Sequence, residues 1–149
     1  MNFLSRFVFG FICLLAPLVA DGADDAAPSS EPIKNFILPT FTPAEGYRSL
    51  LLRGSKAWML TSRIIQLDDM DLTVFSGDAS SHVDSVLLSP IARVSLDDHT
   101  AGGPGPVRLV RDDLELTGNQ WTYYQVQKRI SIARNVRVVF HTELKDLLK

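Results

Sequence analysis

The sequence predicts an all-β domain of the sandwich, barrel or jelly-roll kind. Short apolar, β-branched segments recur from Ile33 onward at the spacing of about 8–12 residues expected of such folds. Apolar and polar residues alternate within them: Met70, Leu72 and Val74 against Asp71, Thr73 and Phe75; Ala92, Val94 and Leu96 against Arg93, Ser95 and Asp97; Ile130 and Ile132 against Arg129 and Ser131; Val136 and Val138 against Arg137 and Val139. A period of two turns one face toward an apolar interior and the other toward water. These segments lack the helical pattern of apolar residues three and four apart.

Residues 1–20 open with a short stretch carrying one positive charge, Arg6, and continue into the 14-residue apolar run Phe7–Ala20, closed by small residues. Those parts make a secretory signal peptide, and a run of that length falls short of the ~20 apolar residues of a spanning helix. Retention of the same run as an anchor is the alternative. Cys13 lies inside it with Ile12 and Gly10 where a lipobox requires other residues, which predicts a mature chain without cysteine and hence without disulfides or thiol chemistry. Residues 21–32, rich in Ala, Asp, Ser and Pro, read as a solvated linker, and 33–149 as the β domain.

The alternation predicts twelve short strands: Asn35–Leu38, Tyr47–Arg53, Ala57–Leu60, Ile64–Leu67, Leu72–Ser76, Val86–Leu88, Ala92–Leu96, Val107–Val110, Leu114–Thr117, Trp121–Val126, Arg129–Ala133 and Val136–Phe140. Asp68-Asp69 and Asp97-Asp98 each follow an apolar–polar–apolar triplet, a weak internal repeat, and predict turns because Asp side chains bond their own backbone. Gly77-Asp78, Gly118-Asn119 and the Gly102–Pro106 run predict further breaks. Thr142–Lys149, with Thr142 as cap and Leu144, Leu147 and Leu148 on one side, predicts a short C-terminal helix.

The full chain has 15 basic and 17 acidic residues; loss of residues 1–20 leaves 14 and 17, net −3. The basic residues form no run, which argues against a nucleic-acid groove. His82, His99 and His141 are too far apart in sequence for a metal motif, and no serine sits in a Gly-x-Ser-x-Gly elbow. The glycine-rich run leads into Val107-Arg108-Leu109-Val110, strand-like sequence rather than the helix start that phosphate binding needs. The Asp clusters at 68–71, 97–98 and 112–113 read as solvated turns. Trp58, Trp121, Tyr123 and Tyr124 read as core or cross-strand aromatics. The expectation is a protein with no catalytic centre, metal or cofactor.

The C-terminal third carries a more specific pattern. Gly105-Pro106-Val107-Arg108-Leu109 leads to Leu116-Thr117-Gly118, then Trp121-Thr122-Tyr123-Tyr124, a polar turn at Gln125–Lys128, Ile130-Ser131-Ile132 and Asn135-Val136-Arg137-Val138. This resembles the repeat of the OstA-like lipopolysaccharide-transport family, and Leu88-Ser89-Pro90-Ile91-Ala92-Arg93-Val94 resembles a segment of its LptC-like branch. The resemblance spans about Tyr47 to Phe140; Arg134 and Gln125 stand where the repeat usually has Gly and Asp.

The resemblance implies a twisted open β jelly roll, V-shaped, whose apolar inner face receives the acyl chains of lipopolysaccharide and whose sheet edges pair with neighbouring transport proteins. It implies a non-enzymatic, periplasmic component of lipopolysaccharide export, membrane-associated only if the N-terminal run is retained. The candidate groove lining is Ile65, Leu67, Leu72, Val74, Val94, Leu96, Leu109, Leu116, Ile130, Ile132, Val136 and Val138. The same residues serve equally as the closed core of a ligand-free structural β-sandwich. A secreted carbohydrate-binding or hydrolase domain is a third reading; it requires acidic pairs converging with Trp58 or Trp121.

Overall fold

A computed structural model describes residues 31–141. The signal peptide, most of the linker and the C-terminal helix expected from the sequence lie outside the described residues. The rest is all-β. Seven strands, β1 (Ile33–Phe41), β2 (Arg48–Met59), β3 (Ile64–Phe75), β4 (Val83–Ser95), β5 (Thr100–Val110), β6 (Leu114–Tyr124) and β7 (Arg129–Phe140), form one antiparallel meander in the order β1-β2-β3-β4-β5-β6-β7. No described strand pairs β1 with β7, so the sheet is open.

The strands are about twice as long as the sequence predicts. Ile64–Leu67 and Leu72–Ser76 are both parts of β3, and four other strands, β2, β4, β6 and β7, likewise merge two expected segments each. The residues expected to end strands lie within them. Asp68-Asp69 is in the middle of β3, Gly118-Asn119 in the middle of β6, and Gly102–Pro106 in β5. Asp97-Asp98, Gly77-Asp78, Asp112-Asp113 and Gln125–Lys128 do lie in turns between strands, as expected, whereas Asp68-Asp69 does not, so Asp68-Asp69 and Asp97-Asp98 are not structural repeats of one another.

These mid-strand residues form a crease across the sheet. Asn35, Asp69, Gln120 and Asn135 each have φ between 50° and 55°, inside β1, β3, β6 and β7. Pro90 lies at the same level in β4, and prolines are tolerated within sheets mainly at edges and bulges. The inward-facing parity flips there. In β3 it passes from Ile65 and Leu67 to Met70, Leu72 and Val74; in β2 from Leu50 and Leu52 to Ala57; in β4 from Leu87 and Ser89 to Ala92. Because β2, β3 and β4 flip together, their mutual register holds through the crease. β5 keeps its parity, with Ala101, Val107 and Leu109 all inward. The β4/β5, β5/β6 and β6/β7 registers therefore each shift at this level, as bulged strands require.

The crease folds the sheet onto itself. At about 3.3 Å per residue, a 12-residue strand spans roughly 40 Å. The β3–β4 turn and the β6–β7 turn lie at opposite strand ends, yet the Lys128 ammonium donates to the Phe75 and Ser76 carbonyls at 3.3 and 3.4 Å. A flat sheet forbids that contact. The two leaves enclose one apolar cluster containing Leu50, Leu52, Leu72, Val74 and Leu109 from one leaf, and Ile65, Leu67, Ala92, Trp121 and Tyr123 from the other. Ser89 is the buried polar residue at the crease, and its hydroxyl donates to the Pro106 carbonyl at 2.8 Å, tying β4 to β5.

The turns are locally satisfied. The Asp78 carboxylate accepts from the Ser80 backbone N–H at 2.9 Å and from the Ser76 and Ser80 hydroxyls. These bonds hold its pKa below the ordinary carboxylate value. Arg63 pairs with Asp97 at 2.9 Å, linking the β2–β3 and β4–β5 turns, and Arg108 grips Glu115 through two bonds of 2.7 and 3.0 Å on the outer face. These pairs are exposed, where such contacts add little.

Candidate functional site

Between the leaves the interior is packed in the middle and open on two sides. Leu67, Met70, Leu87 and Val74 are the largest side chains sealed there. On the β6–β7 side lies a cleft of about 710 Å³, within the about 300–1,000 Å³ usual for ligand sites. Its apolar wall is Val74, Leu109, Leu114, Leu116, Tyr123 and Ile130. On the β1–β2 side a smaller cleft of about 180 Å³ lies among Leu38, Leu50, Leu52, Leu72, Val94, Leu96 and Tyr123. Tyr123 borders both, so its ring stands between them.

All twelve candidate lining residues belong to this interior or its margin, in three settings. Val74, Leu109, Leu116 and Ile130 line the larger cleft; Leu72, Val94 and Leu96 line the smaller one. Ile65 and Leu67 are core, at 3 % and 0 % exposure. Ile132, Val136 and Val138 lie along β7, opposite Trp121, Gly118 and Leu116. Ile132 packs against the core, whereas Val136 and Val138 are exposed at the sheet margin. Leu96 is in the β4–β5 turn rather than on a strand.

The rim of the larger cleft is charged but balanced. Lys128 pairs with Asp84 at 3.2 Å and Arg111 with Asp113 at 3.2 Å, while His82 approaches Asp112 at 3.7 Å. Arg129 lies over the Tyr124 ring at 4.8 Å. Lys128 adopts φ 48° in the β6–β7 turn and latches the two leaves through Asp84, Phe75 and Ser76.

Tyr123, Lys128 and Asp84 were not among the lining residues expected from sequence. Tyr123 alternates with Trp121 on β6 and faces Ile130, so period two extended one strand further would have added it. No sequence pattern signals the Lys128 contact, because its partners are 44 to 53 residues away.

Two buried polar atoms have no partner among the described residues, Trp121 Nε1 and Tyr123 OH. Burial, with a contribution from the Asp84 charge, pushes the Tyr123 phenol up to about 12 from an ordinary value of 10.0. The folded state therefore favours the neutral phenol; the associated stability is fully present below pH 10 and is lost as pH rises through 12. At about 1.36 kcal/mol per unit, roughly 2–3 kcal/mol disappears over that window. Urea unfolding between pH 9 and 12 should show this alkaline loss, and Tyr123→Phe should remove it; an identical alkaline slope in the variant contradicts the assignment.

The acidic clusters do not converge. Asp68, Asp69 and Asp71 follow β3 at the crease, Asp97-Asp98 and Asp112-Asp113 occupy turns, and Trp121 is in the core. Among the described residues no group of three or more His, Cys, Asp or Glu is placed to hold a metal ion. No helix among them is long and apolar enough to cross a membrane.

These features define an all-β protein built as one open antiparallel sheet, creased into two facing leaves with two clefts between them, each with an apolar wall. No protein-family model matches the chain, and no curated protein matches it in sequence.

Proposed function

We propose that this chain is a non-enzymatic periplasmic component of lipopolysaccharide export, in which acyl chains enter between the leaves and the outer edges of β1 and β7 dock neighbouring transport proteins. The observation that carries the reading is the larger cleft, a space between the leaves with one apolar wall and a charged rim, whose apolar wall continues into the exposed inward side of β7 at Val136, Val138 and Phe140. Each methylene removed from water contributes about 0.8 kcal/mol, so an acyl chain of a dozen carbons supplies roughly 10 kcal/mol to bind in such a space. Two residues of the family-like repeat support it further. Gly118 and Asn135 both lie at the crease that gives the sheet its two leaves.

Unpaired backbone groups at a sheet edge can accept a partner strand, and no described strand covers the outer edges of β1 or β7. The sealed middle, with Leu67 and Leu87 wholly buried, favours a second reading, a ligand-free exported scaffold. Photo-crosslinking in cells separates the two. A benzophenone side chain at Ile132 or Val138 should capture lipopolysaccharide, and one at Arg137, on the outer face opposite Thr117, should not. Capture from Arg137 alone, or from none of the three, rejects the transport reading.

A further inference from the structure

Tyr123 is 3 % exposed, its hydroxyl has no hydrogen-bond partner among the described residues, and its side chain forms part of the wall of both clefts. Buried polar groups are almost always paired, and a phenol left unpaired is costly. The larger cleft around it is otherwise apolar on the same wall, through Val74, Leu109, Leu116 and Ile130. Asp84, paired with Lys128, lines the same larger cleft as Tyr123. A cleft with one apolar wall, and behind that wall a sealed and unsatisfied donor, suits a ligand that is hydrocarbon along most of its length and carries an acceptor oxygen at one place.

We propose that the Tyr123 hydroxyl is the specificity contact of the larger cleft, donating a hydrogen bond to the acyl carbonyl oxygen of a lipid whose hydrocarbon lies along Leu109, Leu116 and Ile130. Its neutral phenol donates at any physiological pH. The carbonyl reaches it from the β6–β7 side once the leaves part there, against the Lys128 contacts to Asp84 and to the Phe75 and Ser76 carbonyls. The proposal rests on the reading of the interior as a lipid trough, and adds to it a preference for acyl lipids over plain alkyl chains.

Two soluble probes separate the claims: lauroyl lysophosphatidylcholine, which has an acyl ester, and dodecylphosphocholine, which shares the headgroup and has none. Both bind the intact mature protein in titration calorimetry if the trough reading holds. One hydrogen bond corresponds to about a tenfold difference in affinity. The native protein is therefore expected to prefer the ester lipid by about tenfold, and Tyr123→Phe to lose that preference while keeping dodecylphosphocholine affinity. Without lipid the variant should melt no lower than the native protein, since it loses only an unpaired group. Equal binding of both probes by the native protein, or an undiminished preference in the variant, overturns the proposal and leaves the trough standing. A variant that melts lower without lipid and keeps the preference assigns the hydroxyl to a hydrated structural role and also overturns it. Binding of neither probe to the native protein removes the trough reading and the proposal together.

Discussion

Gly118→Val should be among the most damaging single substitutions in the described domain, lowering stability by about 3 kcal/mol or more. Gly118 is where β6 crosses the crease, directly beneath β7. A Cβ there would collide with the Ile132 side chain, approach the Arg134 carbonyl oxygen at 2.9 Å and the Val136 Cα at 3.5 Å. The carbonyl belongs to a backbone already held by the β6–β7 ladder, with Asn119 paired to Arg134 and Thr117 to Arg137, so it has little freedom to retreat. The branched side chain adds two methyls to that collision. For a domain of this size the loss corresponds to a fall on the order of 10–15 °C in Tm. Gly105→Ala is the matched control: it lies in the same creased region, has no atom within 4 Å of its added carbon, and is not at positive φ. It should change stability by less than about 0.5 kcal/mol. Equal tolerance at the two sites in a thermal melt contradicts the close approach of β6 and β7.

Leu67→Ala should cost about 3–5 kcal/mol, the range for emptying a fully enclosed leucine site. Leu67 is at 0 % exposure in β3, paired with Ala57 of β2 and Ala92 of β4. Its small neighbours leave it to fill the space itself. It also covers Gly54, where any Cβ would come within 2.9 Å of the Leu67 Cδ2. The rigid ladder on both sides limits collapse into the void, which places the cost toward the upper end. Ile37→Ala, on the outer face opposite Arg53 and 61 % exposed, should cost a small fraction of that. Urea denaturation of the two variants checks the pair; a similar loss for both would mean that the inner face has been assigned wrongly.

The inner face was legible in the sequence because alternation is a local property. Ile65, Leu67, Leu72, Val74 and Leu109 are each on the buried side that their period-two pattern predicts. The strand lengths were not. Asp68-Asp69, Gly118-Asn119 and the Gly102–Pro106 run consist of residues that take the backbone out of the β region, and a hairpin turn and a mid-strand crease demand the same residue types. Only the pairing partners distinguish the two outcomes. Ile65 and Leu72 lie on either side of Asp69 yet pair with the same neighbouring strands. The site was half legible for a related reason. The apolar wall follows from alternation, whereas the Lys128 latch and the unpaired Tyr123 hydroxyl depend on which strand ends the crease brings together.

The most direct test of the account is where a lipid tail lies. Methyl-labelled protein in solution NMR, titrated with a lipid bearing a nitroxide near its chain terminus, should lose the Leu109, Leu116 and Ile130 methyl signals first and Ile132 and Val138 next, while Ile37 and Ile91 on the outer face stay sharp. Broadening confined to Ile37 and Ile91, or no selective broadening at saturating lipid, would contradict it.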